Sequence, residues 1–242
     1  MSTPAPSHVD DSRLLVFGAS GSLGTAVVEA AQRAGAWKTV VGCGCDREPP
    51  GDPAFRFDLR SAKARREFFA ELDRREIVPD ACVYAAGLTR DALLARTSLE
   101  AWNDVIAVNL TAAFGVAQEL AKRWLSRRRG HLILIGSHSA AFGRAGQTAY
   151  AASKAGLVGL AQSFAREYGR RSLQCNVVLP GLFDSPMTRA LDPKVRAALE
   201  SQNALGRASE LAEIAAFILH LARMRGVSGQ SFAIDSRILP GV

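Results

Sequence analysis

Seven short runs along the chain are apolar almost without interruption: "RLLVFG", "KTVVGC", "AFRFD", "DACVYAAG", "HLILIGS", "LQCNVVLPG" and "QSFAID". A strand with one wet face alternates apolar and polar residues. A strand apolar throughout is covered on both faces, and that arrangement belongs to parallel sheets carrying helices on each side. The segments between the runs supply such helices. "TAVVEAAQRAG" and "KARREFFAELDRR" repeat apolar residues at helical spacing, as do the long stretches Trp102 to Leu125 and "QTAYAASKAGLVGLAQSFAREYG". Strands alternating with helices, with no repeat and no low-complexity linker, predict a single α/β domain with a parallel sheet over residues 13–242.

The 242 residues suffice for a sizeable core, and 48% of them are hydrophobic, which argues against disorder. No apolar run is long enough to cross a bilayer, so no membrane association is expected. The opening "MSTPAPSHVDD" lacks a basic segment followed by an apolar one, so residues 1–12 read as a short disordered leader and the cytoplasm is the expected compartment. Cys43, Cys45, Cys82 and Cys175 form no C-x-x-C pair, and no histidine pair has metal spacing. Free thiols without a metal are expected. The net charge is +7, with arginines in pairs and triplets. No aromatic residues are interleaved with them to stack on bases, so the clusters read as solvated faces and no nucleic acid is expected.

After the first apolar run comes "GASGSLG", Gly18 to Gly24, and then a helix. Strand, tight glycine turn and helix is the context in which backbone approaches a pyrophosphate and free helix N–H groups attract it. A glycine-rich turn is also an ordinary way to join a strand to a helix. With this context, the expected fold is a Rossmann-type doubly wound sheet of seven parallel strands. The acid that would hold a ribose 2′-hydroxyl belongs at the end of the second strand, where Gly44 stands, followed by Cys45-Asp46-Arg47. Without that carboxylate a 2′-phosphate is not repelled, and Arg47 is available to pair with it; Asp46 would serve as the acid if the strand ended later. This logic favours NADP(H) over NAD(H).

Four polar residues fit carbonyl chemistry at such a site. Ser137 follows the fifth run, at the carboxyl end of a strand where a parallel sheet opens its crevice. Tyr150 and Lys154 stand at i and i+4 on the next helix, and Asn109 lies in the helix before. Hydride delivery to a ketone builds negative charge on oxygen, which needs a proton donor and a hydrogen-bond donor. A phenol has a pKa near 10, and a neighbouring ammonium lowers it. Tyr150 is thus read as the acid, Lys154 as its cationic partner, Ser137 as the group holding the substrate oxygen and Asn109 as the anchor of a water. Singly, each has an ordinary structural explanation; their order, on these elements, after this turn, carries the reading.

From Leu14 to about Asp235 the sequence resembles the short-chain dehydrogenase/reductase family. The resemblance rests on the thirteen-residue step from Ser137 to Tyr150, the Y-x-x-x-K pair, the "VNL" around Asn109, the "GASGSLG" turn, "FDLR" and "VLPGLFDSPMTRAL". It implies nucleotide contacts from Gly18, Ser20, Gly21, Ser22, Leu23 and Gly24, and from Cys45 and Arg47. Asp58 and Leu59 would lie at the adenine, Ala85, Ala86 and Gly87 near the cofactor, and Pro180, Gly181 and Ser185 toward the nicotinamide, with Tyr150 and Lys154. Within the family, "AGLTRDALLAR" is most similar to the 3-oxoacyl-carrier-protein reductases. That similarity implies reduction of a 3-oxoacyl thioester on a carrier protein or coenzyme A. It also implies docking of an acidic carrier by Arg128 and Arg171, and assembly as a homodimer or homotetramer. Other ketones, or a non-catalytic role beside an active relative in a hetero-oligomer, remain alternatives. Three departures stand out: Ser22 replaces a glycine, Tyr84-Ala85 replaces a pair of asparagines, and Asp235-Ser236-Arg237 replaces an acid followed by two glycines.

Overall fold

The computed structural model describes residues 12–237. All of the expected leader except Ser12, and the last five residues of the expected domain, lie outside the described residues. Seven strands form one sheet: β1 (Arg13–Phe17), β2 (Thr39–Gly44), β3 (Ala54–Arg56), β4 (Ala81–Tyr84), β5 (Gly130–Ile135), β6 (Leu173–Pro180) and β7 (Ser231–Ile234). Their order is β3-β2-β1-β4-β5-β6-β7, and every neighbouring pair is parallel. The chain runs outward from β1 in one direction and from β4 in the other, which opens a crevice above the carboxyl ends of those two strands.

Helices cover both faces. Against one lie α1 (Ser22–Ala34) and α9 (Leu211–Arg223), whose Val27, Val28, Ile214 and Ile218 pack on Leu14 and Val83. Against the other lie α2 (Ala62–Arg74), α4 (Ala112–Arg127) and α6 (Thr148–Tyr168), with the single turn α5 (Ser139–Phe142) between β5 and α6. This face holds an aromatic cluster in which Phe17 meets Phe68 at 5.6 Å and Tyr84 at 5.9 Å between ring centres. Trp124 is fully buried there and donates from Nε1 to the Pro79 carbonyl at 2.6 Å. Strands covered on both faces explain why the apolar runs never alternate. The boundaries follow local chemistry: Ser61 caps α2 by accepting from the Ala64 N–H, and Gly35 ends α1 in the left-handed region at φ 58°.

Three differences from the sequence reading emerge. The long helix expected over 102–125 begins at Leu99 as α3 (Leu99–Ile106), passes through one π-helical turn at Ala107–Thr111, and resumes as α4. The stretch 182–205, over which no strand or helix is expected above, contains α7 (Pro186–Arg189) and α8 (Pro193–Ser201), each started by a proline. Lastly, α9 was not anticipated, although Ile214, Ile218 and Leu221 repeat at helical spacing.

Candidate active site

The glycine turn is dictated by close approach. Gly18 has φ +76°, and a Cβ there would stand 2.5 Å from the Ala86 nitrogen. A Cβ on Gly24 would stand 2.1 Å from the Gly18 oxygen. Only hydrogen fits at either place. Gly21 is the N-cap of α1 at φ −85°, and Ser22 is its first helical residue. The serine therefore carries no left-handed strain. No side chain caps α1, and the residues of its start, 21–24, line the crevice. Gly44 ends β2 where a Cβ would press to 2.8 Å from Ser20 Oγ, and Arg47 reaches back to donate to the Ser20 carbonyl.

The lost asparagine pair after β4 is replaced by another brace. Tyr84 is buried, and its hydroxyl donates to the Val108 carbonyl at 2.6 Å, tying β4 to the π-turn. That turn sets Asn109 fully inside the protein. Asn109 exchanges two hydrogen bonds with the Leu88 backbone, at 2.9 and 3.0 Å, and donates to Ser153 Oγ at 3.0 Å. Ser153 in turn donates to the Tyr150 carbonyl at 2.7 Å. Asn109 thus fixes the loop after β4 against the helix that carries Tyr150 and Lys154.

Ser137 lies two residues beyond β5, and its hydroxyl faces the Tyr150 phenol closely enough to lower its pKa. Burial raises the Tyr150 pKa, Asp91 adds to the rise, and Ser137 opposes both. Lys154 is buried; its Nζ donates to the Ile135 carbonyl at 2.7 Å and lies 5.6 Å from the centre of the Tyr150 ring. Burial lowers the ammonium pKa to about 8. The two side chains share one helical face as their spacing predicts. Desolvation is the largest influence on the Tyr150 phenol and raises its pKa, and the influence that lowers it comes from Ser137.

These groups meet around a cavity of about 640 Å³. Its wall includes the expected Gly21, Ser22, Leu23, Gly24, Arg47, Ala85, Gly87, Ser137, Tyr150, Lys154, Pro180, Gly181 and Ser185. Gly18, Ser20, Ala86 and Asn109 stand behind that wall as supports. Cys45, Asp58 and Leu59 are not part of it. Cys45 is exposed, and Asp58 is engaged by Arg60 at 2.9 Å, a pairing that lowers the Asp58 pKa. Cys43, Cys82 and Cys175 are buried in the sheet, where burial raises their thiol pKa values.

The sequence reading missed a second tier. Gln147, immediately before α6, donates to Asp91 Oδ2 at 2.9 Å and accepts from Ser139 Oγ at 3.2 Å, while the Ser139 N–H donates to Ser137 Oγ at 3.2 Å. This chain runs from the loop after β4 to the hydroxyl facing Tyr150. A glutamine one turn ahead of the tyrosine was the available signal. Arg128 and Arg171 stand at the opposite, amino edge of the sheet. Arg128 ends α4 and donates to the Arg170 carbonyl at 3.2 Å, so the two basic clusters adjoin. Arg128 also lines a separate cavity of about 450 Å³ at that edge.

Residues 18–236 match a family model described as enoyl-(acyl carrier protein) reductase, one of the short-chain dehydrogenase/reductase group. The chain is a short-chain dehydrogenase/reductase. This member is 40% identical over 162 residues to the 3-oxoacyl-[acyl-carrier-protein] reductase FabG of Thermotoga maritima, covering 66% of each chain. It is 42% identical over 142 residues to the Escherichia coli protein of that name, covering 57% of this chain and 58% of the relative. It is 36% identical over 239 residues to the (3R)-3-hydroxyacyl-CoA dehydrogenase of Canis lupus familiaris, covering 90% and 92%. The match thus spans less than two thirds of the length of these bacterial relatives. Among the described residues, no helix is long and apolar enough to cross a membrane.

Proposed function

We propose that this short-chain dehydrogenase/reductase reduces a 3-oxoacyl thioester, on a carrier protein or coenzyme A, to the 3-hydroxyacyl thioester with NADPH. The observation that carries the reading is the single cavity in which an uncapped helix start, Ser137, Tyr150 and Lys154 share one wall. The residues present fit a nicotinamide nucleotide. The free N–H groups of α1 suit a pyrophosphate, Arg47 suits a 2′-phosphate, and among the described residues no carboxylate lines the cavity to repel either.

A bound nicotinamide would supply the hydride. Tyr150 Oη would give its proton to the carbonyl oxygen, and Ser137 Oγ would hold that oxygen as charge builds on it. Desolvation keeps the phenol in its proton-bearing form before reaction. Lys154, with a pKa of about 8, is cationic near neutrality and favours the transient phenolate. Asn109 and Gln147 hold the two catalytic elements in register. The joined basic clusters at Arg128 and Arg171 suit an acidic carrier protein, and assembly as a homodimer or homotetramer belongs to the same reading.

The test is nucleotide oxidation with acetoacetyl thioesters of coenzyme A and carrier protein, using NADPH and NADH in parallel. The reading expects 3-hydroxybutyryl product and a higher kcat/KM with NADPH. Absence of turnover with either nucleotide would refute it. Arg128→Glu/Arg171→Glu should lower kcat/KM only for the carrier-bound substrate.

A further inference from the structure

Part of the positive charge on the cavity wall lies away from the glycine turn. Four positive side chains, Arg47, Arg144, Lys154 and Arg237, take part in that wall, and among the described residues no carboxylate does. Arg47 reaches to the glycine turn and Lys154 to the Ile135 carbonyl. Arg237 is paired through Nε and Nη2 with Asp235, a carboxylate only 2% exposed. Arg144 is different. It is half-buried, and among the described residues its guanidinium makes no hydrogen bond or ion pair.

Arg144 does not sit on an untethered loop. Its own carbonyl accepts from the Gln147 N–H at 3.0 Å, and the Gly146 carbonyl accepts from the Ala92 N–H at 2.9 Å. The Gln147 side chain is fastened to Asp91 at 2.9 Å. The turn is also two strands away from the glycine turn, since it follows β5 while the glycines follow β1. Arg237 acts at this end of the cavity as well: burial and then the Arg237 charge lower the His138 pKa, and His138 stacks on Phe142 at 4.7 Å. A cation held in a partly desolvated wall without a counter-ion is unfavourable until an anion arrives.

We propose that Arg144, with Arg237 beside the same cavity, forms an anion-recognising subsite, so that the preferred 3-oxoacyl substrate carries a second, negatively charged oxygen group besides its reacting ketone. The subsite rests on the reductase reading above and narrows it. The chemistry is that of a carboxylate or phosphate meeting a guanidinium fork. The group comes either from the far end of the acyl chain or from the phosphate of a pantetheine arm.

Three thioesters separate these sources: acetoacetyl-N-acetylcysteamine, which is neutral; the N-acetylcysteamine thioester of 3-oxohexanedioic acid, with a terminal carboxylate; and acetoacetyl-CoA, with arm phosphates. Each is assayed with wild type, Arg144→Ala and Arg144→Lys. Arg144→Ala should lower kcat/KM about tenfold for a charged substrate, with less than about a twofold change for the neutral one, and lysine should restore part of the loss. Loss confined to the dicarboxylic substrate assigns the acyl end; loss confined to the coenzyme A substrate assigns the arm. Equal changes on all three, or none, would overturn the subsite while leaving the reductase reading intact. Failure of wild type to reduce any of them would overturn both.

Discussion

At the amino edge of the sheet, Asp80 is buried against Arg127 at 3.1 Å and Arg129 at 3.3 Å, and its other oxygen accepts the Arg13 N–H at 2.9 Å. At the carboxyl edge, Lys154 is buried as deeply, yet among the described residues its one hydrogen-bond partner is a neutral carbonyl. The first arrangement compensates a charge and joins three segments of the fold. The second leaves a charge uncompensated, which burial penalises. A fold retains such a group where it acts on something that comes and goes. Charge pairing therefore separates Asp80 from Lys154.

Substitutions at the two edges should then have opposite signatures. The largest effect is expected from Ser137→Ala, which removes the hydroxyl facing Tyr150. It should lower kcat by about 10²–10³ while moving the unfolding free energy by less than about 0.5 kcal/mol, measured by steady-state rates and urea titration. Lys154→Met should abolish most activity and raise stability at pH 7 by up to about 3 kcal/mol, since burial displaces the ammonium pKa from 10.5 to about 8. Below pH 8 both folded and unfolded chains hold the proton, so the folded wild type bears the full burial penalty. Between pH 8 and 10.5 the unfolded chain binds the proton that the folded chain has lost, so wild-type stability rises and the gap to the variant closes. A gap that instead widened over that range would contradict the burial account.

Asp80→Asn sharpens the comparison from the other side. It should cost about 2 kcal/mol of stability, less than a fully buried pair because the two arginines are 36% exposed, and leave kcat unchanged below the unfolding transition. The smallest effect is expected from Gln147→Ala. Loss of its bonds to Asp91 and Ser139 should lower kcat about tenfold, with KM and stability little altered.

Much of this arrangement was legible beforehand, for definite reasons. The sheet showed itself because strands covered on both faces cannot alternate. Ser137, Tyr150 and Lys154 showed themselves because their spacing has to match a strand end and a helical face. Gln147, Asp91 and Ser139 did not, because their meaning lies in contacts between segments 8 and 56 residues apart. The same holds for Tyr84, whose hydroxyl replaces a lost amide only because the π-turn presents the Val108 carbonyl to it. For Ser22 the sequence left the geometry open, and the answer depended on where the helix begins. The dominance of burial at Tyr150 was not legible at all, since spacing states which groups are near and not how dry they are.

The central claim is that the carboxyl-edge cavity gives a proton from Tyr150 to a carbonyl oxygen. Its most direct measurement is the initial rate of NADPH oxidation with an acetoacetyl thioester, comparing wild type with Tyr150→Phe at equal nucleotide saturation. The account predicts product from the wild type and at least about a hundredfold lower kcat from the variant, with nucleotide binding retained. Equal rates from the two proteins would contradict it.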